Sequence, residues 1–142
     1  MADKQEEIKK YLSRAYTLTK RKGILEREYK QKRKEVGNIS ISYDEIKSNN
    51  NNSMVENKVI ELIKLKKDID VHNIKIDEVK KEISCIIDKL EDETLRNLLR
   101  LRYLEFKKWE DIAYILNYTE RHIRRKHNEA LKEINKLINY VL

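Results

Sequence analysis

A chain of 142 residues with 40% charged side chains and a formal net charge of +7 has room for one or two small domains. With no Pro, two Gly, one Phe and one Trp, the composition excludes a large globular core and favours long helices. The basic excess points to polyanionic partners, the single Cys85 excludes an intramolecular disulfide, and no apolar run approaches the roughly 18 residues of a membrane span.

Charge is spread unevenly. Residues 1–36 carry 12 Lys/Arg against 6 Asp/Glu, residues 37–92 carry 9 against 12, and residues 93–142 carry 11 against 7, so both ends are basic and the middle is mildly acidic. The stretch Met1-Ala-Asp-Lys-Gln-Glu-Glu7 lacks the hydrophobic core of a secretion signal, and a cytoplasmic protein is expected.

The first segment, residues 1–36, reads as a basic helix from about Lys4 to Val36. Ile8, Tyr11, Ala15, Leu18, Leu25 and Tyr29 recur at three- and four-residue steps, a narrow apolar seam interrupted by Lys22 and Lys32. Arg14, Lys20, Arg21, Arg27, Lys30, Arg33 and Lys34 crowd the opposite surface, as a solvated face or a phosphate grip would. Residues 37–53 read as a flexible connector. Gly37 is placed to cap the helix, Ile39-Ser-Ile-Ser-Tyr43 alternates as an extended strand does, and Asn49-Asn-Asn-Asn-Ser53 has turn chemistry.

Residues 54–92 hold the cleanest periodicity. Val55, Leu62, Ile69, Ile76, Ile83 and Leu90 fall at every seventh position, with Lys58, Leu65, His72, Val79 and Ile86 as companions. Such a seam calls for a partner helix. The first helix could fold back as an antiparallel hairpin, or a second copy of the chain could supply the partner and make a homodimer through residues 54–90. His72 reads as a register-setting or solvent-edge residue, since no second ligand stands at metal-binding spacing.

Residues 93–142 carry the one pattern that specifies a chemistry, a helix-turn-helix. Trp109, Ile112 and Leu116 form the inward face of its middle helix, and Ala113 is the small residue where a third helix crosses. Asn117 can take the positive φ of the turn, Tyr118 is expected to plug its underside, and Thr119 is a good N-cap. Ile123, Ala130, Leu131 and Ile134 give the third helix its buried stripe, and His127 falls on that side as a packing residue. Glu120, Arg121, His122, Arg124, Arg125 and Lys126 are left at the exposed leading end. With Thr119, and with Lys107 and Lys108 ahead of the middle helix, they form the candidate DNA-binding set. Arg pairs bidentately with guanine O6 and N7, a carboxylate accepts from cytosine N4, and the cations bind phosphate with strong salt dependence.

The region from Thr94 to Ile134 resembles sigma-factor region 4. The matching residues are Leu101-Arg-Tyr103, Glu110-Asp-Ile-Ala113, Asn117-Tyr-Thr119, Ile123-Arg-Arg-Lys126 and Ala130-Leu131. Phe106 and Lys108 stand where that family often has Gly and a small capping residue, and Asn117 replaces the usual turn Gly. Residues 1–92 show no aromatic-rich region of the kind that melts promoters, so a self-sufficient sigma factor is not expected. In layout the chain is similar to small late-gene transcriptional regulators of bacteriophages and prophages of Gram-positive bacteria, the ArpU and RinA type. That similarity implies an all-α protein in a bacterial host cell: a long N-terminal helical hairpin or coiled coil, followed by a C-terminal three-helix sigma-4-like domain.

The expected function is sequence-specific binding of double-stranded DNA in transcription regulation, with helix 120–134 in the major groove and RNA polymerase as a further partner. Two alternatives stand beside it. One is a sigma-4-like interaction protein that binds polymerase or another protein instead of DNA; the other is a phage DNA-packaging recognition subunit. With no Gly-rich phosphate loop, Cys/His cluster or Ser/His/Asp frame, neither an enzyme nor a bound cofactor or metal is expected.

Overall fold

The computed structural model describes the backbone of residues 2–40 and 49–141, and side chains within residues 4–37 and 54–138. Over these residues the protein is all-helical, without a strand. The elements are α1 (Ala2–Leu12), α2 (Arg14–Ser40), α3 (Asn49–Asp88), α4 (Glu93–Leu99), a π-helical turn (Arg100–Leu104), α5 (Trp109–Leu116) and α6 (Glu120–Val141). No helix among the described residues is long and apolar enough to cross a membrane.

Four local expectations are corrected. The first helix is broken at Ser13, although Ser13 N–H still donates to the Lys9 carbonyl (2.8 Å) and its own carbonyl accepts from Thr17 (3.0 Å). Gly37 does not cap a helix: α2 runs through it to Ser40, and no glycine has positive φ. Ile39 and Ser40 are therefore helical and not extended, and the tract Asn49–Ser53 opens α3 instead of turning. Turn preference in Gly and Asn amounts to about 1 kcal/mol per residue or less, which propagation of a long, packed helix overrides. Of the expected connector, residues 41–48 lie outside the described residues.

The chain packs as two compact units that cut across the sequence segments. One comprises residues 18–75. Within it Leu65 and Ile69 are buried and Val55 and Leu62 half-buried. The cations that interrupt the apolar seams are taken up by ion pairs. Lys32 Nζ lies 3.0 Å from Glu61 and Lys58 Nζ 3.8 Å from Glu35, so advancing along α2 corresponds to retreating along α3, an antiparallel order. The pairing with Glu61 holds the Lys32 pKa above its usual value. His72 is half-buried, its Nδ1 2.8 Å from the Asp68 carbonyl one turn earlier.

The other unit joins the two ends of the chain, Met1–Thr17 and Ile76–Leu142. Its core takes Ile8, Leu12 and Ala15 from the first stretch; Ile83 and Ile87 from α3; Leu90 from the junction that follows; and Leu95, Leu98 and Leu99 from α4. Ile112 and Ala113 of α5 and Ile123, Ala130, Leu131 and Ile134 of α6 complete it. Seam residues Val79 and Ile86 pack on its edge and Ile76 is buried, so every seam residue named above is at least half covered. Helix α1 packs directly on α6. Arg14, expected on a solvated face, instead pairs with Glu82 of α3 at 2.6 Å and covers the Tyr11 ring.

The junction from α3 into α4 is tightly specified. Asp92 accepts from the backbone N–H groups of Thr94 (2.9 Å) and Leu95 (3.2 Å) as an N-cap. The Arg96 guanidinium donates to the carbonyls of Leu90 (2.6 Å) and Glu91 (2.8 Å), and Arg100 pairs with Asp88. Asp92 thus satisfies two of the open N–H groups at the start of α4, and Arg96 satisfies two carbonyls of the junction itself.

Candidate nucleic-acid interface

The segment from α4 to α6 aims the candidate DNA-binding residues, and it does so through two left-handed turns. The first follows the π-helical turn. Glu105 N–H donates to the Arg100 carbonyl at 3.0 Å, a one-residue widening of the α pattern, and Phe106 then sits at φ 61°. A Gly would hold this position without strain; Phe106 holds it by packing on the core and against Tyr16, whose ring centroid is 5.4 Å away. Lys108 precedes α5 with extended backbone and no side-chain capping bond, so Glu110 and Asp111 in the first turn provide the compensating charge.

The second turn joins α5 to α6. Asn117 adopts φ 61°, ψ 44°, the positive φ expected of it. Asn117 N–H donates to Tyr114 (3.3 Å) and Tyr118 N–H to Ala113 (2.9 Å), the paired bonds of a Schellman motif. Thr119 caps α6: its Oγ1 accepts from His122 N–H at 3.2 Å, and its carbonyl accepts from Ile123 N–H at 2.9 Å. Tyr118 does not plug the underside of this turn. It is exposed, stacks on the His122 ring (centroids 4.8 Å apart, planes within 6°), and lies 5.7 Å from Lys126 Nζ.

Rotation of α6 is fixed by its buried side. Ile123, Ala130, Leu131 and Ile134 have no exposure, and His127 is buried as a packing residue. The Tyr103 hydroxyl lies 2.6 Å from His127 Nε2, and the Trp109 ring meets the imidazole edge-on at 4.6 Å. Burial, then the charges of Lys9 and Arg102, lower the His127 pKa to about 4, while burial pushes the Tyr103 phenol up to about 12. A neutral imidazole and a neutral phenol are thus the stable pair, with Tyr103 donating to Nε2.

With that side locked, Thr119, Glu120, Arg121, Arg124 and Arg125 are exposed, while His122 and Lys126 are half-buried beside Tyr118. Arg121 and Arg125 stand one turn apart on one face, spacing that lets both contact one ligand surface. Lys107 and Lys108 are on a separate element ahead of α5; Lys107 is half-buried, its carbonyl accepting from Arg102 at 3.0 Å, and Lys108 is exposed. Arg102 covers the Trp109 ring at 4.4 Å, a placement that sequence reasoning did not anticipate because it depends on the π-helical turn.

No curated protein and no solved structure matches this chain. A family profile matches residues 36–135, which takes in the end of α2, all of α3 and α5, and most of α6. Over that stretch the chain belongs to the family described as "Protein of unknown function (DUF1492)".

Proposed function

We propose that the protein is a sequence-specific double-stranded DNA-binding regulator of transcription, phage or prophage encoded, acting in the cytoplasm of a bacterial host. In this reading α4, α5 and α6 are a sigma-4-like helix-turn-helix, preceded in the chain by an antiparallel hairpin of α2 and α3. The observation that carries the reading is the fixed rotation of α6. A fully buried stripe on one side leaves Arg121, Arg124 and Arg125 exposed on the other, past a Schellman turn and a Thr119 cap. A helix so held can enter a major groove with its first turns leading.

The test is selection of bound sequences from random duplex DNA, repeated with Arg121→Glu/Arg125→Glu. An enriched motif whose binding falls at least about thirtyfold in the double variant is expected, since each bidentate Arg–guanine contact is worth about 1–3 kcal/mol. Binding without an enriched motif, or equal binding by the variant, overturns the reading.

A specific observation favours a second reading. Tyr114 is 85% exposed and Ile115 is 49% exposed on the outer face of α5, apolar surface suited to a protein such as RNA polymerase. Self-association has a separate basis. The heptad seam is covered within the chain, but Ile60, Ile63, Val71 and Ile74 form a further exposed apolar run on α3. Sedimentation of the wild type against Ile63→Lys/Val71→Lys reports whether a dimer uses it.

A further inference from the structure

Beside the helix-turn-helix lies a cavity of about 370 Å³ that shares only Arg124 with the candidate DNA-binding set. Three cations line it, each from a different element: Lys9 from α1, Arg102 from the π-helical turn and Arg124 from α6. Ser13 and Asn128 add a hydroxyl and an amide, and Trp109 forms a wall. Both guanidiniums are drawn to that one ring, Arg102 at 4.4 Å and Arg124 at 6.0 Å from its centroid.

We propose that this cavity is a binding site for a phosphate group, built jointly by α1, the π-helical turn and α6. The residues lining the cavity include no carboxylate. Among the described residues no carboxylate pairs with Arg102 or Arg124, and Lys9 has only Glu6 at 3.3 Å, a surface pair on one helix that competes weakly in water. Cations gathered with so little counter-charge repel one another, and a phosphate oxyanion bonded to guanidinium and ammonium groups relieves that repulsion through charge-assisted hydrogen bonds. The charges are felt nearby: Lys9 and Arg102 act against protonation of His127, while Glu6 acts on Tyr103 in the opposite sense.

The phosphate has two sources of the same chemistry: the backbone of a DNA duplex, or a free phosphorylated small molecule. Neither requires α6 to read bases. Trp109 is the single tryptophan of the chain and forms a wall of the cavity, so its emission responds to what binds there while the chain stays folded.

The experiment titrates the full chain with sodium phosphate at constant ionic strength set by sodium chloride, following Trp109 emission. A saturable change is expected, with half-saturation about tenfold higher in Lys9→Gln and in Arg124→Gln, and unchanged in Arg121→Gln, whose side chain does not line the cavity. A response no different from chloride, or one that neither Lys9→Gln nor Arg124→Gln weakens, overturns the proposal. A second arm measures binding of a random-sequence duplex. If Lys9→Gln weakens duplex binding and phosphate competes with it, the backbone is the source. If phosphate binds but the duplex affinity of Lys9→Gln is unchanged, the source is a free phosphorylated molecule. The phosphate arm contains no DNA, so loss of sequence reading and loss of this site are separately visible.

Discussion

Acid should weaken this protein through one histidine. His127 is 5% exposed, bonded to Tyr103 and edged by Trp109, and its pKa is lowered to about 4 from the ordinary 6.5. The unfolded chain therefore takes up the proton first as pH falls. The stability that the neutral ring confers is intact above about pH 6.5, declines below it, and is fully lost once pH passes the folded-state value near 4. At about 1.36 kcal/mol per pKa unit the full span is worth about 3 kcal/mol, of which about 2 kcal/mol is lost between pH 7.5 and pH 5. Urea unfolding followed by Trp109 fluorescence at those two pH values measures the loss. Repeating it with His127→Gln, which retains an acceptor for the Tyr103 hydroxyl, cancels contributions from every other titrating group. The wild type should lose about 2 kcal/mol more than the variant over this interval. Equal losses in the two proteins would refute the argument.

Other substitutions test how the segments are held. Leu12→Ala removes a side chain with no exposure from α1 and should destabilise the unit containing α6 by about 2–5 kcal/mol, seen as an earlier unfolding midpoint by Trp109 fluorescence. Thr119→Ala, which deletes the cap on α6, should cost about 1 kcal/mol in the same assay. Asn117→Val should cost about 1–2 kcal/mol because a β-branched residue resists positive φ, whereas Asn117→Gly should be neutral or mildly stabilising.

What could be read from the sequence was local. Ala113, Asn117, Thr119 and Ile123 lie close together in the chain, and their roles follow from turn geometry and helical period alone. The burial of His127 was legible for the same reason, as it shares the stripe of Ile123, Ala130, Leu131 and Ile134. Leu12 was not among the expected core residues, although it falls in helical step between Ile8 and Ala15. The expected seam runs through the adjacent Tyr11, and the distant helices that decide which of the two is covered leave no mark on the local sequence. The cavity of Lys9, Arg102 and Arg124 was hidden for that reason too. Phe106 misled differently: an aromatic residue gives no signal of positive φ, and only the widened turn before it and its contacts with the core explain the conformation. Gly37 and Asn49–Ser53 gave strong local turn signals, yet helix continues through both.

The packing of α1 on α6 sets a timetable for synthesis. Helix α1 ends at Leu12 and α6 begins at Glu120, so over a hundred residues must be added before the two can meet. At about 5–20 residues per second, the apolar side of α1 waits several seconds or more on the ribosome without its partner. The core that includes Ile8, Leu12 and Ala15 is completed only when α6 has left the exit tunnel. Until α6 has emerged, the nascent chain therefore lacks the partner that covers the apolar side of α1, and α6 in turn takes its packed orientation only against helices made well before it.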